Sequence, residues 1–121
     1  MKAQEIIPVK KNKYNNRRAE GDGYTFDSID ESRRYAELKL LQRAGEISDL
    51  RVHPVYLLQK SFRTPEGKSV RSIKYEADFD YVENGVTVVE DVKGVETAAF
   101  KLKHKMFLKK YPEIVFRIIK V

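Results

Sequence analysis

The sequence predicts an α+β fold: a small mixed sheet with a helix on each side, in the order α-β-β-β-α-β. Three observations predict it. First, Glu83-Asn84-Gly85-Val86 joins two runs rich in valine and aromatic residues. Asn-Gly in that setting is the strongest short-range hairpin signal, because both central residues of a type I′ turn need φ > 0. Second, two stretches with helical spacing carry capping residues, one before the strand-rich middle and one after it. Third, an apolar run from Ile114 to Val121 follows the second of these, where a crossover helix most easily returns the chain parallel to a neighbouring strand.

At 121 residues the chain is one domain by length, and a 41% hydrophobic share is enough for a modest core. Residues 1–20 read as a basic, flexible arm with Lys10, Lys11, Lys13, Arg17 and Arg18 and no apolar period. Such an arm would wrap nucleic acid, with Tyr14 able to stack on a base, or would serve only as a solubilising tail. Residues 21–121 form the folded domain. Gly21-Asp22-Gly23 is a turn and Tyr24-Thr25-Phe26 a short extended piece. Ser28-Ile29-Asp30-Glu31 is a capping box, with Ser28 as N-cap and Glu31 at N3. A helix then runs to about Ala44, with Gly45 at C′. Glu31, Tyr35, Leu38 and Leu41 or Gln42 share one face of it. Capping alone explains a glutamate at position 31, yet its side chain also lies on the apolar face. Glu37 is the alternative acid on this helix.

Residues 46–50 read as a link, and 54–62 as a strand with Pro54 at its start, where a missing N–H does least harm. Residues 64–68 are a turn. Val70 to Val82 is a long second strand and Val86 to Lys93 the third. A second helix is expected from its N-cap Thr97 to Tyr111, stopped by Pro112. Phe100, His104, Phe107 and Tyr111 form its apolar stripe; Lys101, Lys105 and Lys109 form a basic one. The last run is apolar enough to be a buried strand.

Charge is unevenly spread around a net +6. Residues 1–20 carry six Lys/Arg against two acids, residues 21–100 eleven against fifteen, and residues 101–121 seven against one. Basic ends flanking an acidic middle suit a carboxylate cluster with phosphate-binding flanks, although solvated surface lysines produce the same tally. No cysteine is present, so there is no disulfide framework and no cysteine zinc site. No apolar run approaches the ~20 residues of a membrane span. The run Glu5 to Val9 is too short for a signal peptide, and a cytosolic protein is expected. No Gly-rich phosphate loop and no Ser-His-Asp or Cys-His set occurs. His53 reads as the residue that leads into a strand and His104 as a core or boundary histidine.

The chemistry concentrates in Tyr75 to Tyr81 and Val88 to Gly94. Side chains alternate along a strand, so Asp91 and Lys93 share a face and Val92 points the other way. The hairpin brings Asp78 or Asp80 alongside them. Two carboxylates and a lysine on a sheet are costly to desolvate, which is a reason to look for chemistry. The alternative is an exposed cross-strand ion pair of little energetic weight. Glu76, Asp80 and Glu90 are further acids nearby.

Asp78 followed by Asp91-x-Lys93 on the next strand resembles the PD-(D/E)XK nuclease signature. The segments Phe26-Asp27-Ser28-x-x-Glu31, Tyr75-x-Ala77-Asp78-Phe79, Val89-Glu90-Asp91-Val92-Lys93-Gly94 and Phe100-Lys101-Leu102-Lys103 resemble a family of small, mostly uncharacterised phage and prophage proteins placed in that superfamily. The likeness runs through most of the chain; Ala77 stands where the name-giving proline would be. The resemblance implies a restriction-endonuclease-like fold over residues 21–121 and a Mg²⁺- or Mn²⁺-dependent endodeoxyribonuclease. It implies Asp78, Asp91 and the carbonyl of Val92 as metal ligands. Lys93 would sit beside the attacking water or the scissile phosphate, and Glu31 would be a further metal-site acid. The arm and the Lys101, Lys105 and Lys109 stripe would hold the DNA backbone. A Holliday-junction resolvase type of activity, a homodimer and a bacterial host cytoplasm complete the expectation. The alternative is a catalytically silent DNA-binding module of the same fold.

Overall fold

The structure is a computed structural model that describes residues 19–121. Lys10, Lys11, Lys13, Arg17 and Arg18 of the expected basic arm lie outside the described residues. A short hairpin of β1 (Ala19–Gly21) and β2 (Tyr24–Phe26) comes first, turned at Asp22 and Gly23, both with positive φ. Helix α1 (Ile29–Arg43) follows, capped as expected: the Glu31 amide donates to Ser28 Oγ at 3.1 Å. Its buried residues are Glu31, Tyr35 and Leu38, the i, i+4, i+7 face read from the sequence.

Four strands make the mixed sheet, in the order β10-β9-β8-β3. β3 (Ser48–Val52) and β8 (Phe79–Glu83) are antiparallel, as are β8 and β9 (Val86–Lys93). β10 (Val115–Lys120) returns parallel to β9 after α2 (Ala98–Lys110), whose N-cap is Thr97. A second antiparallel pair, β4 (Val55–Gln59) with β7 (Ile73–Glu76), continues from the β3/β8 pair and ends in the small β5 (Phe62–Arg63) and β6 (Ser69–Val70) tip.

The structure corrects three expectations. Val70 to Val82 is not one strand but β6, β7 and β8, broken at Ala77-Asp78. The presumed link at residues 46–50 contains the start of β3, which pairs with β8. Its exposed Ser48 and Asp49 and the bulge before Arg51 hid the period-2 signal. The last strand is an edge strand whose residues are exposed or half-buried, because it has β9 on one side only.

The break in the second strand is matched by one in its partner. His53-Pro54 separates β3 from β4 just as Ala77-Asp78 separates β7 from β8. The His53 amide donates to the Asp78 carbonyl at 2.9 Å and the Ala77 amide to the Pro54 carbonyl at 3.0 Å, so the two strands stay bonded through the break. Across it, side-chain parity reverses. Val52, Phe79 and Tyr81 pack with Phe26, Tyr35 and Leu38 under α1, whereas Tyr56, Tyr75 and Ala77 pack with Phe100 and Phe107 of α2. Residues 77 and 79 would share a face in an unbroken strand. Here they serve opposite cores, and Asp78 lies at the crossover between them.

Candidate metal centre

Four elements meet at this crossover. Glu31 comes from the first turn of α1 and is 4% exposed. His53 comes from the β3–β4 break with φ +55°, a left-handed conformation. Histidine adopts it more readily than most non-glycine residues. Asp78 comes from the β7–β8 break, and Asp91 and Lys93 from the end of β9.

Hydrogen bonds lock these groups to one another. His53 Nε2 and Glu31 Oε1 are 2.7 Å apart. The Val92 amide donates to Asp78 Oδ2 at 2.7 Å, and the Asp78 amide donates to Asp91 Oδ1 at 3.1 Å. Each aspartate is therefore held by a backbone N–H of the opposite strand. A residue's N–H and C=O point to the same side of a strand, so the Val92 carbonyl faces the same side as its amide, toward Asp78. Lys93 Nζ is 3.7 Å from Asp91 Oδ2 and 4.6 Å from the centre of the Phe100 ring. Asp91 Oδ2 is buried and has no hydrogen-bond partner. Glu31, His53 and Asp78 each offer one ligand atom, all within 4.8 Å of one another.

The electrostatics follow from burial. Desolvation first, then repulsion from Glu31, pushes Asp78 up to about 7; the Val92 N–H and the Lys93 charge oppose this. Burial likewise raises Asp91 to about 6, against the pull of Lys93. His53 is raised above its ordinary value, chiefly by the hydrogen bond to Glu31, with burial opposing. Three carboxylates facing one lysine and one imidazole are short of positive charge. A divalent cation fits that deficit, and Asp91 Oδ2, which accepts no hydrogen bond and has only Lys93 at 3.7 Å, supplies a lone pair.

Asp78, Asp91, Lys93, Val92 and Glu31, singled out from the sequence, are thus brought together. The Glu31 carboxylate pairs with His53, while Ser28 caps the helix by itself. Glu37 is not part of the cluster: it is 64% exposed and paired with Arg34. Nor are Asp80 and Glu90. Asp80 is held by Arg51 and Tyr56, and Glu90 by Arg34 and Tyr81. Glu76 is exposed on β7. His53 was missed, because its place depends on a backbone break that no local motif announces. His104 is the boundary histidine expected, stacked on Phe100 with ring centres 5.4 Å apart and tilted against Phe116 at 4.4 Å. Lys101, Lys105 and Lys109 are exposed on α2, whose first turn carries the Phe100 ring beneath Lys93. No helix among the described residues is long and apolar enough to cross a membrane.

A family model described as "Protein of unknown function (DUF1064)" matches residues 11–121, and the chain belongs to this family. No curated protein matches the chain.

Proposed function

We propose that this member of the DUF1064 family is a metal-dependent endodeoxyribonuclease of PD-(D/E)XK type, working on phage DNA in a bacterial host cytoplasm. The observation that carries the reading is the convergence of Glu31, Asp78, Asp91 and Lys93 on one strand break, with a buried Asp91 oxygen left without a hydrogen-bond partner. Asp78, Asp91 and Glu31, with the Val92 carbonyl, would hold Mg²⁺ or Mn²⁺. When bound, the ion supplies charge relief at the phosphoryl oxygens and a more acidic water.

The chain's own residues do the rest. Lys93 is 27% exposed on its side chain, so it reaches both the cluster and an incoming phosphate. Its ammonium is pinned over the Phe100 ring and beside Asp91, which fixes it without a bidentate partner that would neutralise it. It stabilises negative charge developing on the scissile group. Asp91 holds the Asp78 backbone, and Val92 holds the Asp78 carboxylate, so the acids need little rearrangement on binding. Lys101, Lys105 and Lys109, with Lys10, Lys11, Lys13, Arg17 and Arg18 of the basic segment, would contact the DNA backbone and set salt dependence without reading sequence. Within this class a structure-selective, Holliday-junction resolvase type of activity by a homodimer suits a domain too small for an obvious sequence-reading module.

The test is cleavage of labelled duplex, single strand, fork and four-way junction with Mg²⁺ or Mn²⁺. Wild type is expected to cut, and Asp91→Ala and Lys93→Ala to lose at least about 10²-fold in rate with DNA binding retained. Binding by all three proteins with no cutting by any would overturn the nuclease in favour of a DNA-binding module of the same fold.

A further inference from the structure

We propose that His53 supplies a ring nitrogen to the cation held by Glu31 and Asp78, tuning the site toward Mn²⁺ and its heavier first-row neighbours and away from Mg²⁺. The inference rests on the metal-dependent reading above and narrows it. His53 is fixed by the same feature that fixes Asp78: its amide donates to the Asp78 carbonyl, and Pro54 follows it. Its left-handed backbone, at φ +55°, turns the imidazole toward the first turn of α1, where Nε2 meets Glu31 Oε1. The candidate ligand atoms of Glu31, His53 and Asp78 lie within 4.8 Å of one another. An ion with bonds of roughly 2.1–2.3 Å spans nearly that distance; it sets neighbouring ligand atoms about 3 Å apart, so His53 Nε2 and Glu31 Oε1 open slightly from 2.7 Å and the proton they share leaves as the ion binds. Asp91 Oδ2, in a residue 1% exposed, makes no hydrogen bond and has only the Lys93 ammonium at 3.7 Å, which leaves it a lone pair for an ion at the same crossover. His104 supplies the contrast: it is sandwiched against aromatic rings, as a packing histidine is.

Ligand chemistry gives the selectivity. Mg²⁺ prefers oxygen ligands in near-ideal octahedral geometry and sheds water reluctantly. An imidazole nitrogen adds affinity for first-row transition ions. A site that adds an imidazole to the Glu31 and Asp78 carboxylates therefore discriminates where a purely oxygen site would not.

Metal-free full-length protein is titrated with MnCl₂ and with MgCl₂ by calorimetry, and the Mn²⁺-loaded protein is examined by pulsed electron paramagnetic resonance for nitrogen coupling. A directly bound ¹⁴N signal is expected in wild type and absent in His53→Asn and His53→Gln. Mn²⁺ affinity should fall at least about tenfold in both variants, and Mg²⁺ affinity by much less. Asn tolerates the left-handed backbone, and the wild-type spectrum decides the matter even if a variant is unstable. Bound Mn²⁺ without nitrogen coupling overturns the inference and leaves His53 as a residue that positions Glu31; cleavage surviving in that case keeps the nuclease reading. Failure of wild type to bind either ion overturns both.

Discussion

Two sets of acids share the β8–β9 hairpin, all buried except the half-buried Asp78, and are treated in opposite ways. Asp80 and Glu90 are clasped. Arg51 Nε donates to Asp80 Oδ1 at 2.8 Å, and Tyr56 and a second Arg51 nitrogen bond its other oxygen. Glu90, fully buried, takes both prongs of Arg34 at 2.8 and 2.7 Å, together with the Tyr81 hydroxyl. Asp78 and Asp91 lie at the crossover end of the same hairpin. Among the described residues no arginine pairs with them, and their carboxyls are raised by burial to about 7 and about 6. A forked arginine offsets the desolvation of an acid inside the protein. An acid held dry without one is a cost to the fold, and a ligand from outside is what would offset it. The difference separates acids that serve the architecture from acids available for chemistry, and burial alone does not make that separation.

The sharpest way to break this comparison is Arg34→Met. It leaves Glu90 buried with the Tyr81 hydroxyl and no cation. A loss of about 3–5 kcal/mol is expected in urea unfolding; a loss below about 1 kcal/mol would mean the clasp is ornamental.

The next effect is on pH. A carboxyl whose pKa is higher folded than unfolded binds protons more tightly in the folded state, so its stabilisation is present below the unfolded value of 3.8 and lost as pH rises through about 6 for Asp91 and about 7 for Asp78. His53, raised by Glu31, acts in the same direction: its contribution is present below 6.5 and lost as pH rises through its folded pKa. Metal-free protein should therefore lose on the order of 5 kcal/mol between about pH 4 and 7, and saturating Mn²⁺ should remove the decline. The difference between wild type and Asp91→Asn isolates the share of Asp91 from that of the other acids.

Asp91→Asn itself should leave metal-free protein as stable as wild type at pH 7 or more stable by about 1–2 kcal/mol, by chemical denaturation, while abolishing any metal-induced rise in Tm. Loss of stability instead would place Asp91 with the clasped set. The smallest change acts on both regions equally. Asn84 and Gly85 both have positive φ, and nothing stands within 4 Å of a Cβ built on Gly85. Gly85→Ala should cost about 1 kcal/mol through backbone strain alone, and the contrast between the two sets of acids should survive it.

Much of the fold was legible because its signals are local. Ser28 and Thr97 cap the helices they were expected to cap, and Asn84-Gly85 turns the hairpin. The i, i+4, i+7 spacing on α1 and the Phe100/Phe107 stripe on α2 name the buried faces. β3 and the break at Ala77-Asp78 were not legible, because bulges and parity changes are agreed between two strands that are distant in sequence. For the same reason Asp78 and Asp80 could not be told apart by alternation.

The sequence by itself determined the two helices, the hairpin, the Asp91–Lys93 face and the placement of Glu31 at a helix start, since each depends on residues a few positions apart. Only the tertiary structure decided which acids receive an arginine and which are left dry, and that His53 joins the second group. Desolvation and pairing depend on what arrives from the opposite strand and the helix above it, 22 residues away for Glu31 and His53 and 56 for Arg34 and Glu90.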